Sequence, residues 1–375
     1  MTWCTGLALA GAVAGCGQPA AVRTAGSWGG AIGSWGKAIE VPGLAALNTG
    51  GDASVTSVSC ASAGNCAAGG DYADHHGYRD QGFVAVERNG RWGNAIEVPG
   101  LAALDKDGYG GVGPVSCTSA GNCAVGGYYT FHGGDQGAFV ASERNGRWAK
   151  AIAVPGLGAL NTGEDAGVSS VSCVSAGNCA AGGGYADRDG RSQGFVAAGR
   201  NGRWGKAIAV PGLGALNKRG DAAVGSVSCG SAGRCVAGGI YDAQRDVHGQ
   251  GFVAAGRNGR WGMAIRVPGL AALNKGGGVT EVVMVSCASA GNCAAGGYYF
   301  DRPDHHTWFV AVERNGRWGT AIPVPGLKAL NKGTDGVDVS GNGFSVSCAP
   351  AGTCAAGGYY TDASGHDQGF VTQAG

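Results

Sequence analysis

One unit of roughly 57 residues is written six times in this 375-residue chain, and that period constrains the fold more than any other feature. A tryptophan phrase begins at Trp35, Trp92, Trp148, Trp204, Trp261 and Trp318. A paired-cysteine phrase begins at Cys60, Cys117, Cys173, Cys229, Cys287 and Cys348. The tryptophan phrase opens the series and the cysteine pair closes it, an offset that suggests a ring sealed by its own two ends. Stacked repeats share one continuous core, so the six copies are expected to form one domain.

The second copy shows what each unit can form. Pro114-Val115-Ser116-Cys117 is β-prone, and Thr118 to Asn122 has turn chemistry. Cys123 to Tyr129 reads as a second strand of small residues, followed by a polar loop from Thr130 to Gln136. Ala138 to Glu143 reads as a third strand, and Asn145-Gly146 is a strong hairpin signal. Arg147 to Val154 is a fourth strand, stopped by Pro155-Gly156. No stretch is long and periodic enough for a helix, apart from a turn at Gly-Leu-x-Ala-Leu.

Four short antiparallel strands repeated radially are the blade of a β-propeller. The expected fold is therefore all-β, a six-bladed β-propeller of four-stranded antiparallel blades. Its N- and C-terminal strands are expected to pair, with Trp35 to Val41 supplying the strand that the last copy lacks after Phe370-Val371-Thr372-Gln373. Closure would remove the open sheet edges. Small residues of the second strand (Ala67-Ala68-Gly69-Gly70, Ala180-Ala181-Gly182-Gly183) would let neighbouring blades meet closely. Trp92 and Ile96, an even number of residues apart, are expected on one face, filling the wider gap at the rim.

Twelve cysteines stand in C-x5-C pairs: Cys60 and Cys66, Cys117 and Cys123, Cys173 and Cys179, Cys229 and Cys235, Cys287 and Cys293, Cys348 and Cys354. A five-residue turn can set each pair opposite. The spacing departs from the usual zinc patterns, so six disulfides local to their blades are expected rather than metal ligation. Such frameworks belong to oxidising compartments.

Glycine makes up 77 residues and charged residues 14%, yet no collagen triplet occurs and 44% of the chain is hydrophobic. Net charge is +1 with no basic stripe, which argues against nucleic acid as a partner. Leu7 to Gly15 has the length and character of a secretory h-region and is too short to span a bilayer. Val13-Ala14-Gly15-Cys16 resembles the bacterial lipobox, which implies a lipid anchor at Cys16. Residues 1–16 are thus read as a lipoprotein-type signal segment, 17–34 as a tether and 35–375 as the propeller. The n-region, Met1 to Thr5, carries no Lys or Arg.

The copies are similar to secreted actinobacterial repeat proteins with Val-Ser-Cys-x-Ser-x-Gly-x-Cys phrases. They also resemble extracellular HAF-type repeats through Gly-Gly-Tyr-Tyr-x-Asp and Gln-Gly-Phe-Val. Ser-Cys-x-Ser-Ala-Gly-Asn-Cys is similar in outline to the Asp-box turn of sialidase-like propellers, although Ser62 and Ser119 stand where that box has Asp and Cys replaces its Trp. The resemblance covers nearly the whole mature chain and implies a propeller, without implying an activity.

The turns Ser-Ala-Gly-Asn and Arg-Asn-Gly-Arg are near-identical among the copies and are expected on one face, the divergent loops on the other. Repetition of a backbone explains the first set. Loops on a rigid scaffold are where binding residues sit. All seven histidines fall in the divergent loops: His75, His76, His132, His248, His305, His306 and His366. Asp71, Asp74, Asp135, Asp246, Asp301, Asp304, Asp362 and Asp367 accompany them, and tyrosines such as Tyr72, Tyr128, Tyr241 and Tyr299 flank them. The candidate binding face therefore comprises Tyr72, Asp74, His75, His76, His132, Asp135, Asp246, His248, Asp304, His305, His306, His366 and Asp367.

Two chemistries compete with plain solvated loops. One is a glycan-binding face of aromatic rings and carboxylates; the other is a divalent-metal site using imidazoles. No His-x-x-His or His-Glu-x-x-His spacing occurs, so no cofactor is expected. The reading is an exported, monomeric recognition module for a glycan or protein, without catalysis. The alternatives are a carbohydrate-active enzyme using paired carboxylates and a passive surface repeat. Glutamate is scarce and mostly in repeated positions (Glu87, Glu143, Glu313), and the Arg residues of RNGRW recur in every copy, which speaks for structural roles.

Overall fold

The computed structural model describes residues 37–74, 79–218, 220–243, 249–333, 343–349 and 352–374. Residues Val41–Gly375 form one compact unit, and Met1–Glu40 is a second. The larger unit is all-β, with six antiparallel sheets in chain order and helical turns of only three or four residues between them. Sheet 1 is typical: Ala53–Ser62, Asn65–Ala73 and Asp80–Arg88 are consecutive hairpin strands. Its outer strand is broken into Arg91–Trp92 and Ile96–Glu97, both paired with Asp80–Arg88.

The break corrects one expectation. Ile96, Ile152, Ile208, Ile265 and Ile322 are exposed, while Ala95 and Val98 are buried. Two-residue parity does not carry across a strand interrupted at Gly93, so the tryptophans pack inward and the isoleucines do not. The expected helical turn is present: Leu44–Leu47 and its counterparts each follow a left-handed glycine such as Gly43, with φ 73°.

The two repeated turns meet at one end of every sheet. Asn89 and Gly90 both have positive φ, as a two-residue type I′ hairpin requires. The Gly90 N–H donates to the Gly64 carbonyl at 2.9 Å, and the pairs Gly146–Gly121, Gly202–Gly177, Gly259–Gly233 and Gly316–Gly291 repeat that bond. A Cβ on Gly121 would lie 2.7 Å from the Gly146 amide nitrogen, so the identical turns are explained by backbone contact alone.

The double glycine of the second strand has two separate causes. The first glycine receives the next sheet: a Cβ on Gly182 would stand 2.6 Å from Val224 and 2.7 Å from Val227. The second faces its own sheet, where the first strand carries a register shift between Val168 and Ser170. A Cβ on Gly183 would stand 1.9 Å from the Gly167 carbonyl oxygen. Every sheet down to sheet 5 repeats the second contact, at Gly70, Gly127, Gly239 and Gly297.

Successive sheets are also stitched by polar groups. The serine of each Val-Ser-Cys phrase accepts the amide of the next sheet's cysteine: Cys117 N–H to Ser59 Oγ, Cys173 to Ser116, Cys229 to Ser172, Cys287 to Ser228 and Cys348 to Ser286, at 2.9–3.0 Å. The residue after each helical turn ties the linker to the sheet it enters. Thr130 N–H donates to Asp105, Ala186 N–H to Asn161, and Asp242 N–H to Asn217. These bonds pair buried backbone groups that would otherwise cost free energy.

All six cysteine pairs are bridged within their hairpins, as the spacing predicts. Six such bridges belong to an oxidising, extracytoplasmic environment. Among the described residues, no helix is long and apolar enough to cross a membrane.

The two end sheets differ from the rest. Sheet 6 has three strands, Phe344–Cys348, Cys354–Thr361 and Asp367–Ala374. Among the described residues, no outer strand pairs with Asp367–Ala374. Residues 37–40 form no strand, and Trp35 and Gly36 lie outside the described residues. On the first strand of sheet 1, Val55 and Val58 are 45% and 56% exposed, whereas their counterparts from Val112 to Val285 are at most 8% exposed. On the third strand of sheet 6, Val371 is 89% exposed, against at most 1% for Val84, Val140, Val196 and Val253.

Candidate functional site

The divergent loops join second and third strands at the end of each sheet opposite the paired turns. The described candidate residues are spread over several hairpins, with His132 and Asp135 on one, Asp304, His305 and His306 on another, and His366 and Asp367 on a third. His75, His76, Asp246 and His248 lie outside the described residues. His132 is exposed at a left-handed turn position, against the edge of Phe131. Asp135 opens the third strand of its sheet. Asp304 is exposed at the tip of the hairpin between the second and third strands of sheet 5, again with positive φ. His366 is exposed, its backbone amide bonded to Asp362. Asp367 accepts from the Thr361 hydroxyl at 2.9 Å.

Sheet 5 is the exception to this polar surface. His305 is buried, and its Nδ1 meets the Asp301 carboxylate. Its Nε2 is enclosed and makes no hydrogen bond. His306 packs on Phe300, ring centroids 4.0 Å apart. These rings secure the hairpin tip, and the imidazole edge of His305 is not offered to solvent. Among the described residues, no group of three or more His, Cys, Asp or Glu side chains could hold a metal ion.

The flanking tyrosines are mostly interior. Tyr72, Tyr185, Tyr241, Tyr298 and Tyr299 are buried. Burial pushes the Tyr72 phenol up to about 12, with help from Glu97 and Asp74, so it remains a neutral hydrogen-bonding group. These rings fill sheet junctions and are not open stacking platforms for sugars.

A groove does form where the notional face meets the first sheet junction. It measures about 550 Å³ and is bordered by Tyr72, Asp74, Arg79, Gln81, Glu97 and Lys106. Gln81 is held by its Nε2 donating to Asp105 Oδ2 at 3.3 Å. Glu97 Oε1 accepts the Ala102 N–H at 3.3 Å, which fixes that carboxylate beside the helical turn. The floor is thus a buried phenol, and the walls offer carboxylates, an amide and two cations. Its size falls in the ordinary range for a small-ligand cleft. Only Tyr72 and Asp74 among its members were legible as candidates; Gln81, Glu97 and Lys106 come from different elements and share no sequence signal.

A second cavity of about 580 Å³ lies at the opposite end, between sheets 4 and 5, and includes Arg257, Trp261, Met263, Glu313 and Trp318. Glu313 is buried with Oε2 unpartnered, as is Glu143 in sheet 2. Glu143 Oε1 receives Arg88 Nη2 of the preceding sheet at 2.9 Å. Burial raises both carboxyls above the ordinary glutamate value, and the arginines Arg88 and Arg257 oppose that shift. A raised acid holds its proton more tightly folded than unfolded. Its stabilising contribution is therefore complete below the ordinary value of 4.5 and is lost as pH rises through the raised one. Glu313→Gln is accordingly expected to stabilise the protein by about 1 kcal/mol at pH 7, with the gain vanishing by pH 4. Urea denaturation at the two pH values checks this, and a gain independent of pH would refute the assignment.

No protein-family model matches the chain, and no curated protein does. Among solved structures, the chain is similar to a protein of unknown function from Dyadobacter fermentans, at 11% identity and TM-score 0.41, over 87% of this chain and 95% of that one. A Hadza microbial sialidase is similar at 11% identity and TM-score 0.42, over 86% of this chain and 65% of its own. An acylaminoacyl peptidase from Pyrococcus horikoshii is similar at 9% identity and TM-score 0.45, over 89% and 46%. None of the three lends this chain an activity.

Proposed function

We propose that this chain is an exported six-bladed β-propeller that binds a glycan without catalysis, in the groove between its first two blades, and is held at the cell surface by a lipid on Cys16. The groove lined by Tyr72, Asp74, Gln81 and Glu97 carries the reading. Carboxylates, an amide and cations around one cleft match the alternating donors and acceptors of a polyhydroxylated ligand. The enclosure of His305 favours recognition over proton-transfer chemistry. A monomer follows from ring closure, which leaves no open sheet face.

The ring is supported by the end sheets themselves. Val112 and Val115 seat over Gly69 of the preceding sheet, and the series continues to Phe344 and Val346 over Gly296. Val55 and Val58 are the members of that series left uncovered, and Gly357 is the glycine with no valine from another sheet above it. Bringing sheet 1 onto sheet 6 would cover Val55, Val58 and Val371 together. It would also set the Cys60 amide against Ser347, completing the serine series.

Glycan-array binding by the full chain tests the function, beside the double variant Gln81→Ala, Glu97→Ala. Saturable binding is expected, weakened at least about tenfold in the variant, as loss of hydrogen bonds to a charged group implies. Binding unchanged in the variant would move the site elsewhere. Absence of glycan binding would favour a protein partner, and turnover of a bound glycan would favour the carbohydrate-active enzyme.

A further inference from the structure

We propose that the cavity between sheets 4 and 5 is a second binding site, one that takes a pyranose ring. The apolar face of that ring meets the indoles of Trp261 and Trp318, and one of its hydroxyls bridges Glu313 and Trp318. The site lies at the opposite end of the sheets from the Tyr72 groove, and it stands whether or not that groove binds a glycan.

Two positions decide how each outer-strand tryptophan is housed. The first is its cross-strand partner on the third strand of its own sheet: Glu143 for Trp148, Gly199 for Trp204, Gly256 for Trp261 and Glu313 for Trp318. The second belongs to the preceding sheet: Val86, Ser142, Ala198 and Ala255 in the same order. Where the partner is glycine, the indole lies on it; a Cβ on Gly199 or Gly256 would stand 3.3–3.4 Å from the ring. The Trp204 Nε1–H also donates to Ser142 Oγ at 3.1 Å. At Trp148 the partner is glutamate, and Val86 packs in the same core as the indole. Trp318 has glutamate beside it and only an alanine, Ala255, before it, a combination that the other three junctions lack. The cavity of about 580 Å³ is the space so left.

Two residues of its wall carry buried polar atoms without a protein partner, Glu313 Oε2 and Trp318 Nε1. Glu313 is 2% exposed. Its counterpart Glu143 is held through Oε1 by Arg88 Nη2 at 2.9 Å. The matching arginine, Arg257, places its Nη2 on the Gly316 carbonyl instead, at 2.7 Å. Glu313 and Trp318 are directly opposed across two strands, so the orphan acceptor and the orphan donor share one face of the sheet. Groups buried unpaired cost free energy, so a ligand that pairs both is favoured. 

A hydroxyl can donate to a carboxylate oxygen and accept from an indole N–H at once. The rest of the wall calls for a ring with an apolar face. Trp261 and Trp318 present broad apolar surfaces, and Met263 an adaptable one. Arg260 and Arg317 stand exposed at the rim as further donors. A pyranose combines an apolar ring face with hydroxyls along its edge. An organic cation would suit the indoles but would be repelled by Arg257, Arg260 and Arg317. Met263 is exposed, where the other copies have Asn94, Lys150, Lys206 and Thr320. Its unbranched chain can swing to admit the ligand to the two enclosed atoms.

Indole N–H resonances of the isotope-labelled full chain test this during titration with methyl glucopyranoside, methyl galactopyranoside and N-acetylglucosamine. Trp318→Phe assigns the Trp318 signal, since it removes that N–H and keeps an aromatic ring. Among the described residues no tryptophan borders the Tyr72 groove, so binding there is read separately. With at least one probe the Trp318 signal is expected to shift saturably, with Kd on the order of 1 mM for so small a ligand. Ala255→Val, which installs the valine that sheet 1 carries at Val86, is expected to weaken binding by about tenfold or more. Glu313→Gln, expected above to fold at least as stably as the unaltered chain, should weaken it about tenfold through loss of the charged acceptor. No shift of the Trp318 signal with any probe, at about a hundred times that concentration, would overturn the site. A shift undiminished in either folded variant would overturn it as well, by placing the bound ring outside the cavity.

Discussion

Gly183→Ala is expected to prevent folding or to cost about 3 kcal/mol or more, the upper range for overpacking a tight interior. The added methyl would stand 1.9 Å from the Gly167 carbonyl oxygen. Both atoms belong to backbones held in one hairpin by the Cys173–Cys179 bridge and its ladder of bonds, so neither can retreat without breaking register. The neighbouring substitution Ala181→Gly serves as the control. It removes a buried methyl instead of adding one, and its cost is expected near 1 kcal/mol. Chemical denaturation of the two variants checks the pair. A Gly183→Ala protein as stable as the control would mean that the bulged first strand can shift to make room.

Reduction of the six bridges is the other large effect. Each closes a short loop, worth about 2 kcal/mol in the chain-entropy model. Six together exceed the net stability of most domains, so the reduced chain is expected to unfold under conditions where the oxidised chain is native. Circular dichroism with and without reductant reads this directly. The bridges should also be graded by accessibility, since Cys123, Cys179, Cys235 and Cys293 are buried. Alkylation after partial reduction is expected to label Cys60–Cys66 before Cys229–Cys235. A reduced chain that keeps its strand signal and its denaturation midpoint would show that the sheet junctions alone sustain the fold.

Much of this architecture was legible because each repeated phrase has a local cause. Cysteines six apart across a turn, Asn-Gly before Arg-Trp, and Pro-Gly before a leucine turn each dictate one piece of backbone, and each piece was found. What escaped was what depends on neighbours. Trp92 and Ile96 share a parity on paper, but the strand breaks between them at Gly93. The serine of Val-Ser-Cys looks like an ordinary alternating residue until the next sheet's amide arrives on it. Asp105 and Asn161 look like loop polars, yet each accepts a backbone amide of the second strand that its linker meets. The groove was legible only at Tyr72 and Asp74, because its remaining walls come from the third and outer strands of sheet 1 and from the linkers on either side of that sheet. Tyr72, Tyr185, Tyr241, Tyr298 and Tyr299 look like surface aromatics beside polar loops in the sequence, but are buried in the fold.

The hairpin-local bridges have a consequence for biogenesis. With twelve paired thiols, a chain that had to sort long-range partners would pass through many wrong pairings, and would depend on slow reshuffling to escape them. Here the correct partner of each cysteine is its nearest neighbour along the polypeptide, six residues away. Every copy can therefore be oxidised on its own in an oxidising environment, without waiting for the following copy. The covalent pattern is then complete one unit at a time, and errors in one unit need not propagate to the next.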